Sequence, residues 1–211
     1  VSKHLLENGG RVGNLTEELN VVTEITEFKS DDWFDGYFRE VMGDDRIDFA
    51  KTVTFLKPEE KKSDNPFFET EQGLDYKFIK EHYHQSYWGR MVSWKGEFNQ
   101  VENVIKILSS GKAVKRCELI IFDPTKDARN PYSQPCMCMI DLKPRNGKLY
   151  LTSILRSNRV SKSGYADYTA LTEMGHFLAE QSGLELEKVT TLACSCHIGD
   201  MDNEKKKTIK L

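Results

Sequence analysis

Between Gln134 and His197 the chain carries, in order, a cysteine behind a proline (Gln134-Pro135-Cys136), an arginine and a serine (Arg156-Ser157), an aspartate (Asp167) and a histidine (His197). Together these are a thiol, a cationic site of phosphate size, a carboxyl and an imidazole. A thiol attacks as its thiolate, which a nearby guanidinium favours, and Arg156 is the candidate. A planar guanidinium beside a hydroxyl matches phosphate oxygens. A carboxyl can read the edge of a base by donating or accepting, according to its protonation. These are the groups needed to attack and orient a pyrimidine nucleotide. Each also has a plainer reading. A strand cysteine is commonly core, Asp167 can be the N-cap of a helix that begins at Tyr168, and a lone histidine is commonly structural.

The elements that must position these groups are local in their signals. Glu118 to Phe122, Cys136 to Leu142, Lys148 to Leu155 and Val189 to Cys194 read as strands, the last delivering Ser195-Cys196-His197 at its end. Asp123-Pro124 supplies a turn, and Arg145-Asn146-Gly147 a hairpin. Val101, Val104, Ile105 and Leu108 recur at helical spacing over Phe98 to Leu108, with Gly111 as a stop. Tyr168 to Gln181 is a second helix, with Leu171, Met174, Leu178 and Ala179 on or near one face. Leu19 to Ile25 is a strand with a β-branched centre. From Lys29 to Lys80 the text is charged and punctuated, with apolar islands such as Val53 to Leu56, and its register is not readable. The expected class is α+β, a sheet with helices.

Composition narrows the partners. With 211 residues the expectation is one domain, spanning 1–211. A formal net charge of −3 leaves no global basic field for nucleic acid or an anionic membrane surface. No apolar run approaches the roughly 20 residues of a membrane span, and no signal peptide pattern opens the chain. Opening on Val1 suggests processing or trimming. The cysteines, five in number, do not resemble a secreted disulfide framework, so reduced thiols in the cytoplasm are expected.

From about Tyr87 to His197 the chain resembles the thymidylate synthase superfamily, and the fold that this implies is a mixed sheet covered by helices that dimerises through the sheet. The resemblance is carried by Pro135-Cys136, the strand Asn146-Gly147-Lys148-Leu149-Tyr150-Leu151, Arg156-Ser157, and Asp167 eleven residues after Arg156. The family's helix and its Gly-Leu-Glu close follow as Ala170 to Leu178 and Gly183-Leu184-Glu185. The resemblance implies a pyrimidine nucleoside monophosphate as substrate and Cys136 as the nucleophile that adds to C6. Arg156 and Ser157 would hold the phosphate, helped by Lys115 and Arg116 from a partner subunit and by Arg11 near the N-terminus. Tyr87 would stand near the cysteine, and His197 would touch the sugar 3′-hydroxyl.

Asp167 stands where thymidylate-making members have Asn, and members that hydroxymethylate deoxycytidylate have Asp there. The implied reaction is therefore C5 hydroxymethylation of a cytidine nucleotide, CMP or dCMP, with methylenetetrahydrofolate. Gly199 replaces a family Tyr beside the sugar, which leaves room for a 2′-hydroxyl and points to CMP. Other departures fall on the folate side. Arg159 replaces an Asp used toward the pterin, and Lys162 and Ser163 replace an apolar-Gly pair. Met137 replaces a His and Leu155 a Gln. The chain ends at Leu211, short of the family's folate-sealing tail, and Glu40 and Glu69 are the candidates for its catalytic Glu. These departures keep two alternatives open: a divergent thymidylate synthase acting on dUMP, or a nucleotide-binding homologue without folate-dependent turnover. A third reading, zinc held by Cys136-Met137-Cys138 and Cys194-Ser195-Cys196-His197, has an uncommon ligand spacing, since Cys-x-Cys in a strand puts both thiols on one face. No metal is expected.

Overall fold

The computed structural model describes residues 1–28, 87–112, 114–129, 134–161 and 164–199. Glu40, Glu69, Lys162 and Ser163 lie outside them. In chain order the elements are helix α1 (Ser2–Asn8), strands β1 (Gly10–Val12) and β2 (Leu15–Ile25), helices α2 (Tyr87–Val92) and α3 (Gln100–Leu108), and strand β3 (Glu118–Ile120). Strands β4 (Met137–Arg145), β5 (Lys148–Leu155) and β6 (Asn158–Arg159), helix α4 (Gly164–Gln181) and strand β7 (Glu185–Gly199) complete them.

The strands form one mixed sheet in the order β1-β2-β7-β5-β4-β3, with β6 paired to β7 off this path. Neighbours are antiparallel except β5 and β6, which run parallel to β7. This is the α+β architecture expected from the sequence. Burial alternates strictly along β5, with Leu149, Leu151, Ser153 and Leu155 inward. Helix α3 presents Val101, Val104 and Leu108 to the same core, and α4 presents Leu171, Met174 and Leu178. Each fully buried leucine contributes about 2 kcal/mol of burial. A second, smaller cluster joins Leu5 of α1 to Val160, Ala193, Cys196 and Ile198.

The hairpin forms at the expected dipeptide: Arg145 pairs Lys148, and Asn146 and Gly147 both take positive φ, 51° and 78°, as a two-residue turn between twisted strands requires. Four expectations are corrected. Strand β3 ends at Ile120 because the amides of Ile121 and Phe122 both donate to the Cys138 carbonyl, at 2.9 and 3.0 Å, and so leave the ladder. Strand β7 continues to Gly199, so His197 lies within it, held by β2 on one side and β6 on the other. Helix α4 begins at Gly164, so Asp167 sits in its first turn and is not its N-cap. Cys194 is exposed and Cys196 buried, so this Cys-x-Cys pair does not share a face. The alternation breaks there opposite Asn20, whose φ of 59° interrupts the pleat of β2.

Candidate active site

Cys136 occupies a bend immediately before β4, and its loop is held from three sides. Arg156, just past the end of β5, donates Nε to the Pro135 carbonyl at 2.9 Å and Nη2 to the Gln134 carbonyl at 2.8 Å. Its own amide donates to the Cys136 carbonyl at 2.8 Å. The Met137 amide donates to the Tyr87 hydroxyl at 3.4 Å, and Gln134 Nε2 donates to the Asp127 carbonyl at 3.1 Å. The Pro-Cys motif is therefore cross-braced by the Arg of the Arg-Ser motif. Sequence position alone did not reveal that bracing.

Electrostatics tie four groups together. Burial pushes the Cys136 thiol up, Arg156 pulls it down, the Asp167 and Cys138 charges push it up, and the Tyr87 hydroxyl pulls it down; the result lies above the ordinary thiol value. Arg156 acts in the expected direction, but burial outweighs it, so the resting group is a thiol. Burial raises the Tyr87 phenol strongly, and the charges of Asp167 and Cys136 raise it further. Tyr87 therefore stays a neutral phenol. Asp167 is only 7% exposed, and burial pushes its carboxyl up to about 7. It makes no hydrogen bond to protein among the described residues. A buried carboxyl without a protein partner is costly, because its charged form has lost water and gained nothing in return.

Ser157 is half-buried between β5 and β6. The next residue, Asn158, is 1% exposed and donates Nδ2 to the Tyr168 hydroxyl at 3.0 Å, joining the Arg-Ser segment to the helix that carries Asp167. Gly164 permits this approach: a Cβ there would fall 2.7 Å from Asn158 Oδ1. The sequence places Tyr168 only at the start of a helix and gives no signal for Asn158, so neither reads as part of the site.

The remaining predicted residues lie elsewhere in the sheet. His197 is half-buried in β7, opposite Glu17 of β2 and beside Arg159 of β6. Gly199 pairs with Leu15 at the end of the same strand. Arg11 is exposed on β1 at one edge of the sheet, with Nη2 donating to the Gly13 carbonyl at 3.3 Å. Lys115 and Arg116 are exposed just before β3, at the opposite edge. So the structure brings together Cys136, Tyr87, Arg156 and Asp167, and leaves Arg11 on the other side of the sheet from Lys115 and Arg116. Among the described residues, no group of three or more His, Cys, Asp or Glu side chains is arranged to hold a metal ion. No described helix is long and apolar enough to cross a membrane.

The sequence profile of the family described as thymidylate synthase matches residues 50–209, and the chain belongs to that family. Its relatives include archaeal proteins provisionally named thymidylate synthase. One from Methanococcoides burtonii is 32% identical over 126 residues, covering 59% of this chain and 58% of the relative. One from Methanosarcina mazei is 31% identical over 117 residues, covering 56% and 54%. A third, from Methanothermobacter marburgensis, is 28% identical over 113 residues, covering 53% and 50%. The matched segments thus span little more than half the length of these relatives.

Proposed function

We propose that this chain binds a cytidine monophosphate and activates its C5 position for one-carbon transfer, the chemistry of a pyrimidine nucleotide C5 hydroxymethyltransferase. The observation that carries the reading is Asp167: a buried carboxyl with no hydrogen-bond partner among the described residues and an affinity for its proton near neutrality, set beside the Cys136 thiol. Cytosine presents an acceptor at N3 and a donor at its amino group. A protonated Asp167 donates to N3 and accepts from the amino group. If the proton passes to N3, the same two contacts become charge-assisted bonds between a cytidinium and a carboxylate, which are stronger. Uracil carries its own N3 proton and can meet only the neutral carboxyl, so the discrimination favours cytosine.

The reacting steps fall to three side chains. The Cys136 thiol gives up its proton to solvent and its sulfur bonds to C6; the C5–C6 π bond breaks and its electron pair moves onto C5, which can then take up a proton or deuteron from solvent. The Tyr87 hydroxyl is a neutral donor next to the sulfur, able to solvate the thiolate as it forms. Arg156 has two nitrogens committed to the loop, and its Nη1 has no partner among the described residues; it remains available to a phosphate with Ser157. The family implies methylenetetrahydrofolate as the one-carbon donor, but Arg159 does not fit a pterin held in the family's way. The pterin edge offers N–H donors that a carboxylate accepts, whereas a guanidinium has donors only.

The phosphate site reads as shared between two subunits. On the outward face of the sheet, cross-strand neighbours Val22, Leu192, Ile154, Met139 and Ile120 form one continuous apolar row over five strands. Val22 is 59% and Ile120 41% exposed. A row of this kind favours a partner. Arg156 follows Ile154 by two residues and is exposed on the same side, beside buried Leu155. A second copy seated on this face could bring Lys115 and Arg116 toward Arg156, as no single chain does. The proposed site is therefore that of a homodimer.

Exchange of the C5 hydrogen for deuterium, followed by NMR with CMP, dCMP and dUMP in turn, tests the proposal. Exchange on CMP exceeding that on dUMP supports it; exchange on dUMP alone would mean a thymidylate synthase type. A CMP rate well above the dCMP rate supports space for the 2′-hydroxyl at Gly199. Tight nucleotide binding with no exchange at all would favour a binding homologue without turnover, the reading that Arg159 supports.

A further inference from the structure

The strongest organised structure outside the four-residue cluster is a buried ion pair with no surface role. Arg90, one turn after Tyr87 on α2, and Asp127, in the turn after β3, are each about 4% exposed. Arg90 Nη1 reaches Asp127 Oδ2 at 2.5 Å and Nη2 reaches Oδ1 at 3.0 Å, a bidentate contact. Arg90 Nη1 also donates to the Ile121 carbonyl at 2.9 Å, and the Asp123 amide donates to Asp127 Oδ2 at 2.7 Å. Gln100 of α3 closes the group, donating Nε2 to the Arg90 carbonyl at 3.0 Å and to the Ile120 carbonyl at 2.9 Å. It accepts from the Ile120 amide at 2.9 Å. Burial opposes ionisation of Asp127, but the Arg90 and Asp123 hydrogen bonds outweigh it, and its carboxyl lies below the ordinary range.

A buried pair is a poor source of net stability, because desolvation offsets most of the attraction; its better-attested use is to impose one geometry. The geometry here is specific. Arg90 is fixed on the helix that carries Tyr87, and the Asp127 main chain accepts from Gln134, two residues before Cys136. The pair thus connects the helix carrying the phenol to the thiol loop, through the Arg90–Asp127 contact and the Gln134 hydrogen bond to the Asp127 carbonyl.

We propose that Arg90, Asp127 and Gln134 form a positioning strut that holds the Cys136 thiol against the Tyr87 hydroxyl and Arg156, none of the three touching substrate. The inference rests on the reading of Cys136 as the nucleophile. Its physical content is that the thiol is kept buried and aligned at the cost of being hard to ionise, so cutting the strut lets the loop relax toward water. Reagent access then rises while turnover falls, opposite signs that simple loss of stability does not produce in a protein that still melts normally.

Gln134→Met cuts the strut at its last link and leaves the ion pair intact. The rate of Cys136 carbamidomethylation by iodoacetamide, mapped against pH and read by peptide mass, is expected to rise several-fold, with its midpoint moving down toward an ordinary thiol. C5 hydrogen exchange on CMP should fall by about tenfold or more, with CMP affinity and Tm unchanged. The double variant Arg90→Met with Asp127→Leu removes the charges in favour of apolar volume and should give the same thiol shift. An unchanged alkylation midpoint in Gln134→Met overturns the strut. So does a double variant that melts earlier but keeps the wild-type midpoint; if that variant does not fold, Gln134→Met decides alone. Failure of the nucleophile reading looks different: CMP would then give wild-type Cys136 no protection from iodoacetamide, whatever the variants do.

Discussion

The centre and the margins of the sheet are built on different principles. Around Cys136 the loop is cross-braced: the Gln134 and Pro135 carbonyls by Arg156, the Met137 amide by Tyr87, the Gln134 side chain by the Asp127 carbonyl. At the margins, Lys115 and Arg116 are exposed and make no hydrogen bond or ion pair among the described residues, and Arg11 is exposed on β1 with Nη2 donating to the Gly13 carbonyl. Over-determination suits a centre that must hold a buried thiol and a buried carboxyl in unfavourable surroundings. Exposed cations at an edge have no such requirement, and under the proposed shared site Lys115 and Arg116 would meet the phosphate held by a second chain. The thiol loop is thus braced within one subunit, whereas the proposed sharing of the phosphate site between two subunits rests on exposed cations at the margins.

The largest expected effect tests the centre. Cys136→Ala should lower C5 hydrogen exchange on CMP by about a thousandfold or more, while calorimetry finds CMP affinity within a few-fold of wild type. Residual exchange near the wild-type rate would mean that another group attacks C6.

Asp167→Asn comes next. An amide cannot hand a proton to N3, so preference should move from CMP toward uracil nucleotides by roughly ten- to a hundredfold, measured as the ratio of dissociation constants. The wild type should also lose CMP affinity as pH rises through about 7, because binding must then take up one proton; the variant should not. Stability carries a matching sign. The folded carboxyl keeps its proton up to about 7, well above its ordinary value of 3.8, so the native state binds more protons than the unfolded chain between those limits. Its contribution to stability must decline as pH rises across that window and level off above it. Urea midpoints against pH should show this slope in the wild type and a flatter profile in Asp167→Asn.

The margins are tested by complementation. Arg116→Ala alone should weaken CMP binding by about tenfold. Mixing it with Cys136→Ala should restore exchange in part, since one site of the heterodimer then combines a wild-type thiol with a wild-type Arg116. No recovery on mixing, in a sample shown by ultracentrifugation to be dimeric, would mean that the phosphate site is not shared. The smallest effect belongs to a position serving neither region: Gly147→Ala, at φ 78°, should cost about 1 kcal/mol of stability in the β4–β5 turn and leave CMP affinity untouched.

Much of the architecture was legible because its signals are short-range. The alternation in β5, the Asn146-Gly147 turn and the apolar spacing of α3 each depend on neighbours in sequence. Errors arose where pairing across the sheet decided the outcome. β7 runs past Cys194 because β2 and β6 supply partners on both sides of Cys196 and His197. β3 stops early because two consecutive amides turn to one carbonyl on β4. Asp167 looked like a helix opener because its residue type suits one; the helix instead begins at Gly164, where lack of a Cβ lets it lie against Asn158.

What the sequence by itself determined is the chemical inventory and its spacing: a thiol behind a proline, an Arg-Ser pair, an aspartate eleven residues on, and the local elements between them. Only the tertiary structure decided the states of those groups. Nothing in the residue order marks Arg90 and Asp127 as partners; they become a buried brace once α2 meets the turn after β3. Cys136 and Asp167 hold their protons near neutral pH because folding strips water from both and gives neither enough in return. Desolvation depends on what surrounds a group in three dimensions, and residue types in order cannot specify it.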